Sequence, residues 1–306
     1  MNQNQIEKIA KEIQGQVKGK VLFDDFSRGR YSTDASLYQI KPLGAVLPKD
    51  KNDVLKIMEY SQKQGISLLA RGGGSSQSGQ TVGESIVLDY SRHQNKILDF
   101  NKEEKTVWVE PGIVLDQLNA YLKPYGLWYP VDVSTSSRAT IGGMTANNSC
   151  GSRSLYYGNM VNNVLAVEAI LDDGTVHTFD DIDKNYLEVT NERNRKYEII
   201  KKFLDVKNNT KEEIDLHFPV TQRRVGGYNI DLINPNGFNT SNILVGSEGT
   251  LSLFNKIKLK LWEIPTRKVL GVCYFANFRE AMNLTQEIVK LKPTTVELLD
   301  HNLISL

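Results

Sequence analysis

The stretch RGGGSSQSGQT, residues 71–81, decides how this chain is read. Gly74 to Thr81 fits the phosphate-loop pattern G-x-x-x-x-G-K-[ST] at every position except one, where Gln80 stands in place of the lysine. A phosphate loop needs that lysine to reach the outer phosphates, and it needs a helix directly after the glycine. Neither is found here: Gln80 carries no charge, and Val82-Gly83-Glu84 leads into the strand-like run SIVLDYS. The dinucleotide fingerprint G-x-G-x-x-G fails as well, because Gly72-x-Gly74 is followed three residues later by Gln77. Consecutive glycines can still take positive φ values that turn successive N–H groups inward, a nest for a diphosphate, with Ser75, Ser76 and Gln77 adding donors. Taken alone, the stretch fits a flexible connector between two strands as well as it fits a cradle.

The surrounding sequence places this loop. GAVLP at 44–48 reads as a strand, DKNDVLKIMEYSQKQG as a helix started at Asp50 and stopped at Gly65, and ISLLA as a second strand that runs straight into the glycines. A ligand site is expected at the end of such a β-α-β unit. KILDF and TVWVEPG form a hairpin around Asn101 to Lys105, and a helix follows with Val114, Leu115, Leu118 and Leu122 on one face. Residues 128–160, WYPVDVSTSSRATIGGMTANNSCGSRSLYYGNM, then break the pattern: small, polar and without clear periodicity. This second loop offers Gly142-Gly143 flanked by Thr140, Asn147, Asn148, Ser149 and Gly151. Two such loops, some seventy residues apart, suit a long cofactor better than a single phosphate.

Further along, NVLAVEAILDDGTVHTF predicts a hairpin turning at Asp173-Gly174, and 181–217 is charged and mostly helical. NILVGSEGTL predicts a strand entering a tight turn, LFNKIKLKLWEIP a strand ending at Pro265, and the tail a strand, a helix and a strand. At 306 residues the chain can bury a substantial core. Its 37 basic and 36 acidic residues leave a net charge of +1, which gives no global footprint for nucleic acid or an anionic membrane. Cys150 and Cys273 are too far apart to suggest a disulfide framework or a thiolate metal site, so a cytoplasmic protein is expected. The N-terminus carries Ile6, Ile9, Ile13 and Val17 at helical spacing and has no apolar signal core, and no run approaches the ~20 apolar residues of a membrane span.

GAVLP, RGGGSSQSGQ, VWVEPG, ATIGGMTANNSCGSRSLYYG and GSEGTL, in that order, resemble the FAD-linked oxidase family. That family includes D-lactate dehydrogenase, the glycolate oxidase flavoprotein subunit and D-2-hydroxyglutarate dehydrogenase. GLWYPVDVSTSSRATIGGMTANNSCGSRSLYYG and RRVGGYNID are similar to its large bacterial members, in which the flavin module is fused to an iron–sulfur module. The resemblance runs from about residue 30 to the C-terminus.

It implies an α+β, vanillyl-alcohol-oxidase-type (PCMH-type) fold of two subdomains with FAD between them. On that reading residues 1–40 are a helix and lead-in, 41–265 the FAD-binding domain (smaller part about 41–100, larger part about 101–265), and 266–306 the truncated start of an α+β cap. Carried over by motif, Arg71, Gly72, Gly73, Gly74, Ser75, Ser76, Gln77, Gly79 and Gln80 would hold the pyrophosphate side. Pro130, Thr140, Gly142, Gly143, Asn147, Ser149, Gly151, Tyr157 and Gly158 would line the flavin and the rest of the diphosphate, with Glu248 and Gly249 near the adenosine or ribityl end. Some members attach FAD through a histidine in the first loop. His93, His177, His217 and His301 lie outside both glycine loops, so noncovalent FAD is expected.

The implied activity is hydride transfer from a D-2-hydroxy acid, of D-2-hydroxyglutarate or D-lactate type, to FAD. Arg223, Arg224 and Tyr228 are candidates to face the substrate carboxylate, with a surface turn at Gly226-Gly227 as the plainer reading. Cys150 reads as a small residue packed near the cofactor. The catalytic base and metal ligands are expected in segments beyond Leu306, as is any iron–sulfur cluster or divalent metal. An iron–sulfur module or quinone-linked acceptor is the partner implied, and it would place the protein peripherally at the inner membrane. Two other classes stay open: a flavin-binding electron-transfer subunit without a substrate site, and a phosphate-loop-like nucleotide-binding protein.

Overall fold

The computed structural model describes residues 2–191, 193–221 and 223–306. Its first layer grows from the N-terminal amphipathic helix α1 (Gln3–Gln14), whose Ile6, Ile9 and Ile13 are buried. Full burial of such a side chain stabilises by about 1.5–3 kcal/mol. These isoleucines pack in one core with Val54 and Ile57 of helix α3 (Lys51–Gln64); between the two helices lies the short helix α2 (Asp25–Arg30). Asp50 caps α3 by accepting from Asp53 N, and Gly65 ends it in the left-handed conformation, as the sequence predicts.

The sheet of this layer runs β1 (Lys20–Leu22), β2 (Gly44–Leu47), β4 (Ile86–Asp89), β3 (Leu68–Arg71). β2 and β3, the two strands of the predicted β-α-β unit, are therefore not neighbours: β4 lies between them, parallel to both. The reason is composition. Ile86, Val87 and Leu88 are wholly buried, as a strand covered on both faces must be.

The second sheet has five strands and is antiparallel throughout. β5 (Ile97–Asn101) and β6 (Thr106–Val109) form the predicted hairpin, and β8 (Val164–Ile170) and β9 (Val176–Phe179) form the other. β12 (Leu253–Lys260) joins them, pairing with β6 on one side and β8 on the other. Helix α4 (Leu115–Leu122) buries Leu115, Leu118 and Leu122 in the same core. Two ribbons complete the strands: β7 (Leu127–Trp128) with β13 (Trp262–Glu263), and β10 (Asp181–Asp183) with β11 (Gly237–Asn239). Ile170 of β8 and Leu253 of β12 enter the core of the first layer. Glu168 adds a polar tie, with Lys51 of α3 at 3.6 Å and Lys256 of β12 at 3.1 Å.

Three expectations give way. The 128–160 segment is not a plain loop but contains helix α5 (Ile141–Ala146) and single helical turns at Ser154–Tyr157 and Met160–Asn163. Small residues hid it: Gly142 and Gly143 lower helix propensity, yet tertiary packing overrides them. The run at 242–251 holds no strand, because a 3₁₀ turn (Thr240–Ile243) carries the chain into bends. Residues 268–275 are not a strand either. Beyond residue 265 the regular elements are the helices Phe278–Lys290 and His301–Ser305, neither with a buried residue.

Candidate functional site

The glycine stretch leaves the carboxyl end of β3. Gly72 and Gly73 are glycines because another segment passes against them: a Cβ on Gly72 would strike the Thr140 hydroxyl, and one on Gly73 the Arg138 carbonyl. Of the four glycines in the stretch, Gly74 (φ 63°) and Gly79 (φ 79°) have positive φ. The expected nest of consecutive positive-φ glycines is thus replaced by close packing at two positions and turns at two others. The chain re-enters the sheet at β4 with no helix in between, which removes the structural basis of a phosphate loop. Ser76 and Gln80 hydrogen-bond to each other across the loop.

The Arg71 guanidinium is turned away from the loop's open side. Nη2 donates to Thr33 O at 2.8 Å and Nη1 to Thr81 O at 3.2 Å. Burial lowers its pKa, opposed by the charges of Asp89 and Asp34.

The second segment folds onto the first through Thr140, which caps α5 by accepting from Gly143 N at 3.4 Å. Gly142 packs on Pro111, where a Cβ would lie 2.6 Å from the proline Cβ. Asn148 is buried at φ 47°; its Oδ1 accepts from Val161 N (3.0 Å) and its Nδ2 donates to Arg224 O (3.4 Å). Asp132 accepts from Arg153 N and Ser152 Oγ, each at 3.1 Å, and fixes the start of that turn.

Between the segments lie two cavities. The first, of about 610 Å³, is walled by residues 72–77, 132–135 and 149–152 together with Thr140, Gly143 and Asn147. The second, of about 80 Å³, is flanked by Leu69, Ala70, Pro111 and Phe254 and reaches Glu248 and Gly249. Gly72, Thr81, Thr140, Gly143 and Asn147 belong to both walls, so the cavities meet there. The smaller one also presents Tyr90 and Ser252, buried residues whose hydroxyls have no hydrogen-bond partner among the described residues. Burial raises the Tyr90 pKa, so the phenol stays a neutral donor. Buried hydroxyls without partners call for a polar ligand. The pair of cavities suits a molecule with a larger and a smaller end joined where the two walls meet.

Residues 42–180 match the family model described as FAD binding domain. That segment is similar to an FAD-binding domain. It is 34% identical over 295 residues to D-2-hydroxyglutarate dehydrogenase of Pseudomonas putida, covering 94% of this chain and 29% of that relative. It is 28% identical over 303 residues to glycolate oxidase subunit GlcD of Bacillus subtilis, covering 97% and 54%. The chain therefore spans less than a third of the length of the D-2-hydroxyglutarate dehydrogenases it matches. In fold it resembles alkyldihydroxyacetonephosphate synthase, with a TM-score of 0.65 at 19% identity over 94% of this chain and 48% of the other. The fold is the α+β, vanillyl-alcohol-oxidase-type fold that the motifs imply.

The two joined cavities fit FAD, whose flavin and adenosine ends are linked by a diphosphate. Of the residues carried over by motif, Gly72, Gly73, Gly74, Ser75, Ser76, Gln77, Thr140, Gly143, Asn147, Ser149 and Gly151 line the larger cavity. Arg71, Gln80, Gly142, Glu248 and Gly249 line the smaller. Pro130, Tyr157, Gly158 and Gly79 line neither. Tyr157 instead packs edge-on against Trp128 and Trp262, and Gly79 lies under the Tyr38 ring.

The candidate carboxylate-binding residues line neither cavity and each is engaged by another group. Arg224 pairs with Asp231 at 2.5 Å, Arg223 Nη1 donates to Gly151 O at 2.8 Å, and the Tyr228 hydroxyl lies 2.8 Å from Thr250 Oγ1. Sequence reasoning missed Thr81, Asp132, Tyr90, Ser252 and Glu297 as wall residues. Thr81 and Asp132 stood inside or beside the quoted motifs, whereas Tyr90 and Ser252 become visible only as buried hydroxyls without partners. No histidine among the described residues lines either cavity.

Proposed function

We propose that this chain is the FAD-binding portion of an oxidoreductase that oxidises a D-2-hydroxy acid by hydride transfer, holding FAD noncovalently across the two cavities. The observation that carries it is the shared wall of Gly72, Thr81, Thr140, Gly143 and Asn147, which joins a large polar cavity to a small one. The substrate class rests on the names of the relatives, D-2-hydroxyglutarate dehydrogenase among them.

Bound FAD supplies the hydride acceptor. The residues of this chain hold and orient it. The 72–77 turn and the Thr140 to Asn147 segment bring backbone and side-chain donors to the junction, where a diphosphate would carry its charge. Asp132, which accepts from Ser152 Oγ and Arg153 N, shapes the larger cavity. Because the chain spans less than a third of the length of the D-2-hydroxyglutarate dehydrogenases it matches, we assign the base for the substrate hydroxyl to residues outside 1–306 and read 41–265 as the cofactor domain and 266–306 as the start of a substrate-side cap. An iron–sulfur or quinone-linked acceptor, reached in the cytoplasm or at the inner membrane, completes this reading. No helix among the described residues is long and apolar enough to cross a membrane.

The test is anaerobic mixing of the FAD-loaded protein, isolated as it occurs, with D-2-hydroxyglutarate, D-lactate and glycolate while the oxidised flavin absorbance is followed. Bleaching by at least one acid is expected, and residues 1–306 alone should hold FAD without being bleached. Failure of all three acids to bleach the isolated protein contradicts the assigned substrate class.

A further inference from the structure

Residues 31–40 lie before the start of the family match at residue 42, yet they grip the glycine loop at both ends. At its beginning, Ala35 N donates to Gly74 O at 3.0 Å. At its end, Thr81 Oγ1 donates to Asp34 Oδ2 at 2.9 Å, while Asp34 Oδ1 is fixed by Ser36 N at 2.8 Å. Beneath the loop, Arg71 reaches Thr33 O and Thr81 O, and Tyr31 donates to Asp89 Oδ2 at 2.6 Å. Over the outer turn, the Tyr38 ring covers Gly79. Thr81 is one of the five residues common to both cavity walls.

We propose that residues 31–40 form a strap belonging to the cofactor site, and that Asp34 is a positioning residue which sets FAD affinity by holding Thr81 and the loop in their binding shape. The proposal rests on the reading of the two cavities as the FAD site. A loop of glycines and serines has many conformations in the free chain, and ordering it before the ligand arrives removes that cost from binding. Charge argues in the opposite direction: a carboxylate close to a diphosphate repels it, so a purely electrostatic role predicts tighter binding once Asp34 is removed. Geometry and charge therefore make opposite predictions for the same substitution. Coupling is also reciprocal, so if the strap orders the loop for FAD, FAD must stabilise the strap.

The experiment titrates FAD into the apoprotein of wild type, Asp34→Ala, Thr81→Val, Thr81→Ser and the Asp34→Ala/Thr81→Val double variant, with the melting temperature of each apoprotein recorded. Asp34→Ala and Thr81→Val should each raise Kd about tenfold, Thr81→Ser should stay within about threefold of wild type, and the double variant should resemble the worse single. Trypsin cleavage after the exposed Arg30 should slow on adding FAD to wild type, and this protection should be lost in Asp34→Ala. Unchanged or tighter binding by Asp34→Ala, or losses that multiply in the double variant, would overturn the strap. If Asp34→Ala does not fold, the contrast between Thr81→Val and Thr81→Ser decides, and equal affinities for those two overturn it. Wild type that binds no FAD defeats the site reading itself, a result distinct from any of these.

Discussion

Thr140 fills the space that a Cβ on Gly72 would need, and this single contact brings the two sequence motifs together where the cavities meet. The second motif packs where Gly72 and Gly73 lack side chains. The glycine stretch accordingly serves close approach at Gly72 and Gly73 and backbone turning at Gly74 and Gly79.

The first prediction separates those uses. Gly73→Ala sets a methyl against the Arg138 carbonyl, a backbone atom that cannot swing aside, whereas Gly72→Ala meets a side-chain hydroxyl that can rotate. Overpacking of this kind costs about 1–3 kcal/mol. Gly73→Ala should therefore lose more FAD affinity than Gly72→Ala, measured by flavin fluorescence titration. Equal and near-wild-type affinities would make the stretch a mere connector.

The second concerns the small cavity. Tyr90→Phe removes a buried hydroxyl that has no partner among the described residues, and leaving such a group unsatisfied costs about 1–3 kcal/mol. The apoprotein should melt at the same temperature as wild type or higher, while FAD affinity falls about fivefold or more and FMN affinity does not change. A fall in FMN affinity of the same size would place the Tyr90 hydroxyl at the flavin end instead.

The two motif segments and their order were legible in the sequence because glycines and small polar residues interrupt an otherwise periodic pattern. The hairpins around Asn101 to Lys105 and at Asp173-Gly174 were legible through turn chemistry. Helix α5 was not, since its glycines and threonine carry little helical signal and Thr140, Pro111 and Gly72 decide its place. The insertion of β4 between β2 and β3, and of β12 between two hairpins, depends on pairings remote in sequence that no local periodicity records. The same holds for Tyr90 and Ser252, which reach one cavity from different parts of the chain.

A third prediction turns on pH. Burial opposes ionisation of Glu168, but hydrogen bonds from Lys256 and Asn255 and the charges of Lys256 and Lys51 outweigh it and hold the carboxyl below its ordinary 4.5. A pKa that is lower folded than unfolded gives a stabilising contribution that is complete above the unfolded value and lost as pH falls through the folded one. Glu168→Gln should lower stability by about 1–3 kcal/mol at pH 7, from charged hydrogen bonds alone. The gap in melting temperature between variant and wild type should close as the pH drops below 4.5. A gap that stays constant down to strong acid would show that this carboxylate does not tie the two layers.

The central claim is that one noncovalent FAD spans the joined cavities, and acid precipitation of the purified protein tests it most directly. Chromatography of the supernatant should recover intact FAD, close to one per chain, and the pellet should be colourless. Flavin retained in the pellet would contradict noncovalent attachment, and an apoprotein that binds ATP while ignoring FAD would contradict the site itself.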